Sequence, residues 1–209
     1  MIDTIIYDMG NVLIEWNPEK FLHLIETDEE RIAKLRTAIF TSGYWPRQDT
    51  GELDADKAYH MSLALLDDSY QESLRQIYYH WYEYADVFSK MQDYAQELKK
   101  QGYKLFVLSN TAASYYDLAK NDYLPIDEIL DGKVLSYEVE MVKPDVAIYQ
   151  YLLDKYGLEA QNCVFLDDIK GNIEAAQSLG MQGIQVISEN QALADLKVLL
   201  SKHGRLSEQ

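Results

Sequence analysis

The sequence predicts an α/β fold, in which a doubly wound parallel sheet forms the core and a mostly helical cap is inserted after the first strand. Three observations lead to this fold class. A short apolar run at the start of the chain ends in an acid and a turn. From Phe88 onward, strand and helix patterns alternate, which is typical of a parallel sheet flanked by helices. Between these regions, residues 16–84 show helical spacing and no convincing strand.

The first predicted strand ends at Asp8. The apolar run before this acid includes Ile5 and Ile6, and Gly10 and Asn11 follow it. A short β-branched run indicates a buried strand, and Gly-Asn just past it indicates a turn. Asp8 is therefore expected at the carboxyl end of the strand, where open α/β sheets bind ligands. An acid after a strand is also common as a turn former or helix cap, so this position alone does not assign a function.

The region after the first strand is expected to form the cap. Its apolar residues recur at helical spacing, as in Phe21, Leu24 and Ile25 and again in Ile32, Leu35 and Ile39. At 209 residues, the chain is long enough for one core domain with an insert. We therefore predict a core domain formed by residues 1–15 and 85–209 and a cap domain formed by residues 16–84.

The second half of the chain alternates helices and strands. Glycine stands at the predicted helix stops Gly102, Gly157 and Gly180. The predicted helices are 91–101, 112–120, 145–156, 171–179 and 192–200, and the predicted strands are 105–108, 163–166 and 183–187.

Small polar residues follow the predicted strand 105–108. They are Ser109, Asn110 and Thr111. A hydroxyl beside the free N–H groups of a helix start forms a site for an anion such as phosphate. Ser109 or Thr111 also suits a plain helix cap, so both interpretations remain open at this point.

Two later segments carry charged residues to the same kind of position. Lys143 comes just before Pro144, which suits the first turn of a helix, so its amine can point into the crevice at the sheet edge. Asp167 and Asp168 follow the strand 163–166. Adjacent carboxylates repel each other unless a cation, a lysine or water holds them. Mg²⁺, which prefers oxygen ligands, is the natural candidate.

The order of these four segments resembles the four motifs of the haloacid dehalogenase-like hydrolase superfamily. An acid, a Ser/Thr segment, a Lys-Pro pair and paired acids each follow their own strand, and the resemblance covers nearly the whole chain. It looks closest to the helical-capped branch with a Rossmann-like core. That branch includes bacterial sugar-phosphate phosphatases, particularly α-D-glucose-1-phosphate phosphatases with a similar Asp-Leu-Gly-Asn opening.

The resemblance implies a Mg²⁺-dependent phosphatase for a small phosphorylated metabolite such as a sugar phosphate. Asp8 would be the nucleophile and form an aspartyl-phosphate, which splits one difficult step into two easier ones. Ser109 would hold the phosphoryl oxygens, with Asn110 and Thr111 beside it, and Lys143 would neutralise charge. The implied metal-binding positions are Asp8, the backbone carbonyl of Gly10, Asp167 and Asp168.

The chain departs from the family pattern at one catalytic position. The family motif is Asp-x-Asp, in which the second acid protonates the leaving group and later activates water; here Gly10 stands at that position and Asn11 follows. General acid–base catalysis contributes about 10²–10⁴-fold, so its loss predicts a slow enzyme unless something substitutes. A cap residue, an ordered water or a good leaving group such as an anomeric or acyl phosphate could do so.

The cap contains a segment, Tyr44–Leu53, that breaks the helical pattern. Its Asp49-Thr50-Gly51 piece resembles the acid-x-Gly cap loop of related phosphatases, which points into the active site. This resemblance implies that Asp49 and Gly51 contribute to substrate binding and that Trp45 and Arg47 face the substrate. The alternative is a simple turn between helices, followed by a helix that Asp54 caps.

Charge and composition exclude several partners. The formal net charge of −16 disfavours nucleic acids and anionic membranes, which need Lys/Arg clusters. We find no signal peptide and no apolar run of the ~18 residues that a membrane helix needs, and so expect a cytoplasmic protein. The tyrosine-rich stretch from Tyr78 to Tyr84 indicates core or interface packing, and an aromatic surface of this kind also suits a homodimer contact.

Two alternative functions remain open. A metal-independent 2-haloacid dehalogenase of the same superfamily also lacks the second acid, but Asp167 and Asp168 would repel a haloacid carboxylate in the absence of a cation. A phosphate-binding or regulatory protein with low turnover would bind Mg²⁺ and phosphate without multiple turnovers. The joint presence of Asp8, Ser109, Lys143 and Asp168 favours catalysis.

Overall fold

A five-stranded parallel sheet with the strand order β3-β2-β1-β4-β5 forms the centre of the protein. The computed structural model describes residues 1–203. The strands are β1 (Thr4–Tyr7), β2 (Lys104–Ser109), β3 (Gly132–Leu135), β4 (Cys163–Asp167) and β5 (Gln182–Gln185). The central position of β1 between β2 and β4 brings the carboxyl ends of these three strands to one edge.

Helices follow or connect the strands. In the core they are α6 (Ser89–Lys100), α7 (Ser114–Lys120), α8 (Ser136–Val139), α9 (Val146–Tyr156), α10 (Lys170–Ser178) and α11 (Glu189–His203). In the region 16–84 they are α1 (Pro18–Ile25), α2 (Glu29–Arg36), α3 (Pro46–Asp49), α4 (Ala55–Leu63) and α5 (Gln71–His80). Short 3₁₀ segments and one π-helical turn at Thr37–Thr41 lie between them. No helix among residues 1–203 has the length and apolar character that a membrane crossing requires.

Each face of the sheet is covered by its own apolar cluster, because side chains alternate between the two faces of a strand. Ile5 and Tyr7 of β1 pack with residues of α6, α7 and α11, whereas Ile6 packs on the other face with residues of α9 and α10. These three β1 side chains are fully buried. The predicted fold class, a doubly wound α/β core with additional helices, is therefore confirmed.

The cap region has a third apolar cluster of its own. Most of its members come from helices α1, α2, α4 and α5 and include Leu22, Leu35, Ala58 and Leu74, all fully buried. This separate cluster supports the division of the chain into a cap (16–84) and a core, which remains a proposal.

The two chain segments that connect this region to the core lie side by side. The Glu15 N–H donates to the Asp86 carbonyl at 2.8 Å, and the Phe88 N–H donates to the Leu13 carbonyl at 3.0 Å. The Lys20 amine pairs with the carboxylates of Glu15 at 2.6 Å and Asp86 at 2.9 Å. The entry and exit of the cap are thus joined by backbone hydrogen bonds and by one lysine.

Strand β3 differs from the sequence-based expectations, which included no strand there. It has four residues at the edge of the sheet, and its half-exposed Gly132 and Lys133 give it no continuous apolar run. Its pairing with β2 sets Leu135 opposite Ser109. A short edge strand of this kind is specified by its neighbour in the sheet more than by its own sequence.

Helix boundaries also differ in places. Asp145 caps α9, because its Oδ1 accepts a hydrogen bond from the Ala147 N–H at 2.9 Å. Pro144 therefore precedes the helix and does not form its first turn. Helix α7 begins at Ser114, so neither Ser109 nor Thr111 caps it. The last helix, predicted as 192–200, begins at Glu189 and extends to His203.

Candidate active site

Acidic and hydroxyl side chains meet where β1, β2 and β4 end. Asp8 directly follows β1, Ser109 is the last residue of β2, and Asp167 is the last residue of β4. All three are buried, with exposed fractions of 7%, 1% and 0%. Buried carboxylates need partners, because an unpaired charge is costly to remove from water.

Lys143 supplies that partner. Its Nζ lies 2.8 Å from Asp8 Oδ1 and 2.7 Å from Asp167 Oδ2, and the lysine itself is only 4% exposed. Burial alone would lower the pKa of Lys143, but the charges of Asp8 and Asp167 outweigh it and raise the pKa above its usual value. The amine therefore stays charged between the two carboxylates.

Asn110 holds the lysine segment in place. Its Nδ2 donates to the Lys143 carbonyl at 2.9 Å, and its Oδ1 accepts from the Lys143 N–H at 2.8 Å. This reciprocal pair fixes the backbone from which the Lys143 side chain extends. Asn110 also lines the cavity, so the structure adds a positioning contact to the predicted role in substrate binding.

The carboxyl group of Asp8 is in an unusual environment. Burial raises its pKa above the usual value, and the negative charge of Asp167 adds to this effect. The charge of Lys143 and hydrogen bonds from Lys143 and Ser109 oppose it. The Met9 N–H also donates to Asp8 Oδ1 at 2.7 Å, which fixes the carboxylate at the strand end.

Asp167 and Asp168 are neighbours with different surroundings. Asp167 is fully buried and accepts hydrogen bonds from the Ile169 N–H at 2.8 Å and from Asn172 Nδ2 at 3.0 Å, in addition to the Lys143 contact. Asp168 is half-buried, lines the cavity, and accepts from Asn11 Nδ2 at 2.9 Å. Asp167 thus has most of its acceptor capacity used, whereas Asp168 faces open space.

The donor set fits a hard divalent cation. Asp8, Asp167 and Asp168 each offer a carboxylate oxygen, and these oxygens lie within 4.8 Å of one another. Gly10 lines the same cavity. Oxygen ligands of this type are those that Mg²⁺ prefers.

Trp16 occupies the space beside Gly10. A Cβ added to Gly10 would lie 3.4 Å from Trp16 Cβ, at van der Waals contact. Asn11 adopts a positive φ of 54°, and its Oδ1 accepts from the Trp16 N–H at 2.9 Å. Asn11 therefore fixes both Trp16 and Asp168, a positioning role that sequence reasoning missed. The sequence signal for this role is an asparagine in a predicted turn, because asparagine tolerates the left-handed region of backbone conformation.

A cavity of about 370 Å³ opens above the strand ends. Residues from the core edge form its floor, among them Asp8, Gly10, Asn110, Thr111, Lys143 and Asp168. Residues between 16 and 84 form its opposite wall, among them Trp16, Phe40, Trp45, Pro46, Asp49 and Trp81. Charge is thus concentrated on the floor, and the wall is largely aromatic.

The aromatic wall is a packed arrangement. The ring of Trp16 stacks on Trp45 with centroids 5.0 Å apart and meets Trp81 edge to face at 4.9 Å. Offset and edge-to-face pairs at these distances are the favoured geometries of aromatic side chains. The Trp81 Nε1–H is buried without a hydrogen-bond partner among the described residues, and Trp81 lines the cavity.

The four predicted substrate-binding residues of the Tyr44–Leu53 segment take different positions. Trp45 and Asp49 line the cavity. Arg47 does not line it: its Nε pairs with Glu52 Oε2 at 2.9 Å, and its side chain is 43% exposed. Gly51 also lies outside the cavity lining and serves as a contact point between this segment and α8.

The backbone of the Asp49 segment rests directly on the core. The Ser136 hydroxyl donates to the Asp49 carbonyl at 2.5 Å. Gly51 has a φ of +78°, and a Cβ there would lie 2.7 Å from the Tyr137 carbonyl oxygen. Only glycine fits this close approach. Burial, and then the charge of Asp8, raise the pKa of the Asp49 carboxyl to about 7.

Comparison with known proteins places the chain in a family. The sequence model of the haloacid dehalogenase-like hydrolases matches residues 2–180. The sesquiterpene phosphatase astK of Aspergillus oryzae is 27% identical over 198 residues, which cover 93% of this chain and 95% of the relative. The D-ribitol-5-phosphate phosphatase of Bacteroides thetaiotaomicron is 24% identical over 213 residues, which cover 96% of this chain and 100% of the relative.

A solved structure shares the fold. A HAD family enzyme of Bacteroides thetaiotaomicron, in complex with magnesium and inorganic phosphate, has a TM-score of 0.71 to this protein at 19% identity. The match covers 88% of this chain and 94% of that chain. Since the family model covers most of its length, the chain belongs to the haloacid dehalogenase-like hydrolases.

Proposed function

We propose that this hydrolase is a Mg²⁺-dependent phosphatase that transfers a phosphoryl group from a small phosphorylated metabolite to Asp8. The observation that carries this proposal is the position of Lys143 Nζ, 2.8 Å from Asp8 and 2.7 Å from Asp167, at the floor of the cavity. A buried ammonium beside a carboxylate nucleophile suits a reaction in which negative charge is transferred.

The residues at the strand ends have separate roles in this reaction. Asp8 attacks phosphorus and forms an aspartyl-phosphate, which water then hydrolyses. Lys143 offsets the charge of the nucleophile and of the phosphoryl oxygens, so that the two anions can approach. Ser109 donates to Asp8, and Thr111 lines the cavity where the phosphoryl group would lie.

Three acidic residues, Asp8, Asp167 and Asp168, would hold the metal ion together with the Gly10 carbonyl. Mg²⁺ bound there would supply positive charge against the transferred phosphoryl group. Support comes from the oxygen donors of the cluster and from the magnesium and phosphate in the structure that shares this fold. The same cluster argues against the dehalogenase alternative, since uncompensated carboxylates repel a haloacid.

The organic part of the substrate meets the cap wall. A sugar phosphate is the first candidate, because indole rings can stack on the ring of a sugar and the Asp49 carboxyl lines the cavity, where it can bind a hydroxyl. A phosphate ester of an apolar alcohol is the second. It is favoured by the aromatic wall and by the similarity to a sesquiterpene phosphatase.

The test is phosphate release from a panel of sugar, acyl, aryl and prenyl monophosphates, with Mg²⁺ and with excess chelator. We expect turnover only with the metal. Asp8→Asn should lower it about 10³-fold or more, as is typical when a nucleophile is removed. Asp93→Asn, the same change at an exposed site on α6, is the control. A phosphorylated peptide containing Asp8, trapped by acid quench and identified by mass spectrometry, would establish the intermediate.

Three results would overturn the proposal. Full activity of Asp8→Asn would remove the nucleophile from the reaction. Halide release from a 2-haloacid without metal, in the absence of phosphatase activity, would establish the dehalogenase alternative. Phosphate binding without turnover on any panel member would identify a binding protein.

A further inference from the structure

We propose that Asp49 is the general acid and base of this enzyme: it protonates the leaving-group oxygen when Asp8 is phosphorylated and later takes a proton from the attacking water. The assignment rests on the proposed phosphatase reaction. It gives the acid–base role, which Gly10 cannot fill, to a side chain on the opposite wall of the cavity.

The chain has no acid at the family's second motif position, where Gly10 stands. Trp16 lies beside Gly10, 3.4 Å from the place of an added Cβ, and Asn11 holds the Trp16 backbone there. A replacement acid must therefore reach the reaction from elsewhere in the cavity. The wall formed by residues 16–84 is the remaining side.

Four ionisable side chains line the cavity, and three of them already have partners. Asp8 and Lys143 pair with each other, and Asp168 accepts a hydrogen bond from Asn11. Asp49 is the fourth, and within residues 1–203 its carboxylate has no hydrogen-bond partner. It is thus free to exchange a proton with a bound molecule.

The direction of the reaction places the leaving oxygen near this wall. In phosphoryl transfer, the attacking and leaving oxygens lie roughly in line on opposite sides of phosphorus. Asp8 attacks from the floor, so the leaving oxygen points towards the cap. Since Gly10 leaves no acid at the core position, an acid on the cap wall, such as Asp49, is placed to protonate this oxygen.

Contacts with the core hold the backbone at Asp49 in place. The Ser136 hydroxyl holds the Asp49 carbonyl at 2.5 Å, and two residues further on Gly51 touches the Tyr137 carbonyl. These contacts join the short helix α3 to α8, so Asp49 is held by the core as well as by the cap. A general acid or base must first lie within hydrogen-bond reach of the proton that it transfers, and only then does its pKa determine its efficiency.

The environment also suits proton exchange near neutral pH. Burial, and then the charge of Asp8, raise the pKa of Asp49 to about 7. A catalytic acid is most effective when its pKa lies near the working pH. The charged and titratable groups on the surrounding elements are Asp8, Lys143 and Asp168 on the core edge, Tyr137 and Glu138 on α8, and Arg47 and Glu52 beside Asp49.

The proton balance closes over one turnover. As the bond from phosphorus to the leaving oxygen breaks and the bond to Asp8 forms, the protonated Asp49 gives its proton to the leaving oxygen. In the second half, the Asp49 carboxylate takes a proton from water while the water oxygen attacks phosphorus. Inorganic phosphate leaves, the Asp8 carboxylate is restored, and Asp49 is protonated again.

The test compares leaving groups of different basicity in wild type and Asp49→Asn. An alkyl phosphate needs protonation of its leaving oxygen, whereas p-nitrophenyl phosphate does not. We expect kcat/KM for the alkyl phosphate to fall by about 10²–10⁴-fold and kcat/KM for p-nitrophenyl phosphate to change less than tenfold. With p-nitrophenyl phosphate the variant should show a stoichiometric burst of nitrophenol, because loss of the base slows hydrolysis of the aspartyl-phosphate.

Controls separate an acid–base role from a structural one. Asp68→Asn makes the same chemical change at an exposed site elsewhere on the cap and should leave both values unchanged. Asp49→Glu should restore part of the alkyl phosphate activity. In wild type, kcat/KM for the alkyl phosphate should decline above about pH 7, the pKa to which burial raises the Asp49 carboxyl. This decline should be absent in Asp49→Asn.

An equal loss with both substrates, or no loss with either, would overturn the assignment of Asp49. The proposed function is judged separately, by whether wild type needs Mg²⁺ and Asp8 on the same substrates. Failure of Asp49 alone would leave the phosphatase proposal intact and point to water or the leaving group as the substitute.

Discussion

The floor and the wall of the cavity are built on different principles. On the floor, Lys143 and Asp167 are almost completely buried, and their charged groups are held by an ion pair and by hydrogen bonds. On the wall, the ring of Trp16 contacts those of Trp45 and Trp81. The floor is therefore suited to holding charged groups, and the wall to contacting apolar or ring-shaped groups.

Lys143→Met provides the most severe test of the floor. The change leaves Asp8 and Asp167 as unpaired buried carboxylates, and breaking a buried pair in this way costs about 3–5 kcal/mol. We expect a lower midpoint of urea unfolding and no measurable turnover in the metal-dependent phosphatase assay.

Lys34→Met is the matched control for that experiment. The Lys34 amine pairs with Glu30 at 2.7 Å, and both side chains are exposed, at 52% and 79%. Exposed pairs contribute about 0–1 kcal/mol. Similar losses of stability in the two variants would mean that burial does not distinguish the floor from the surface.

Trp45→Ala tests the wall and should have an intermediate effect. Trp45 contacts Trp16 at 5.0 Å and Tyr78 at 5.7 Å between ring centroids. Removing the ring takes away binding that is equal in the ground and transition states, so KM should rise about tenfold, with kcat nearly unchanged. Trp45→Phe should retain most of the affinity. A large fall in kcat with unchanged KM would show that this wall takes part in the chemistry.

Arg47→Ala should have the smallest effect. Its guanidinium pairs with Glu52 on the surface and stays outside the cavity lining, and exposed substitutions of this kind change stability by about 0.5 kcal/mol or less. Activity on sugar, aryl and prenyl phosphates should remain within about twofold. A tenfold rise in KM would show that Arg47 turns to the substrate when it binds.

The residues on the floor of the cavity were easier to predict from the sequence than the contacts between distant segments. The positions of Asp8 and Asp167 follow from strand ends in a parallel sheet, because a short apolar run and the residue after it define both the strand and its edge. The pairing of Lys143 with both Asp8 and Asp167 could not be predicted from the spacing of these residues in the sequence. It depends on the reciprocal bonds of Asn110 with the lysine backbone.

Other features depend on contacts between distant segments and left little trace in the local sequence. The edge strand that begins at Gly132 takes its conformation from β2. The orientation of Arg47 is set by Glu52. The role of Asn11 needs Trp16 and Asp168 in their folded positions. Each was missed or misplaced because the partner that decides it lies elsewhere in the chain or on the other side of a turn.

The paired connections at Glu15 and Asp86 have a consequence for how such an enzyme can change. The two ends of the insert are joined by a backbone hydrogen bond. An insert of different length or sequence can therefore leave and re-enter the core at the same two positions. An insert bounded in this way can be exchanged as a cassette, much as loops at adjacent chain ends accept whole domains. Exchange of residues 16–84 with the insert of a relative would then replace the whole aromatic wall of the cavity, Asp49 included, in one genetic step.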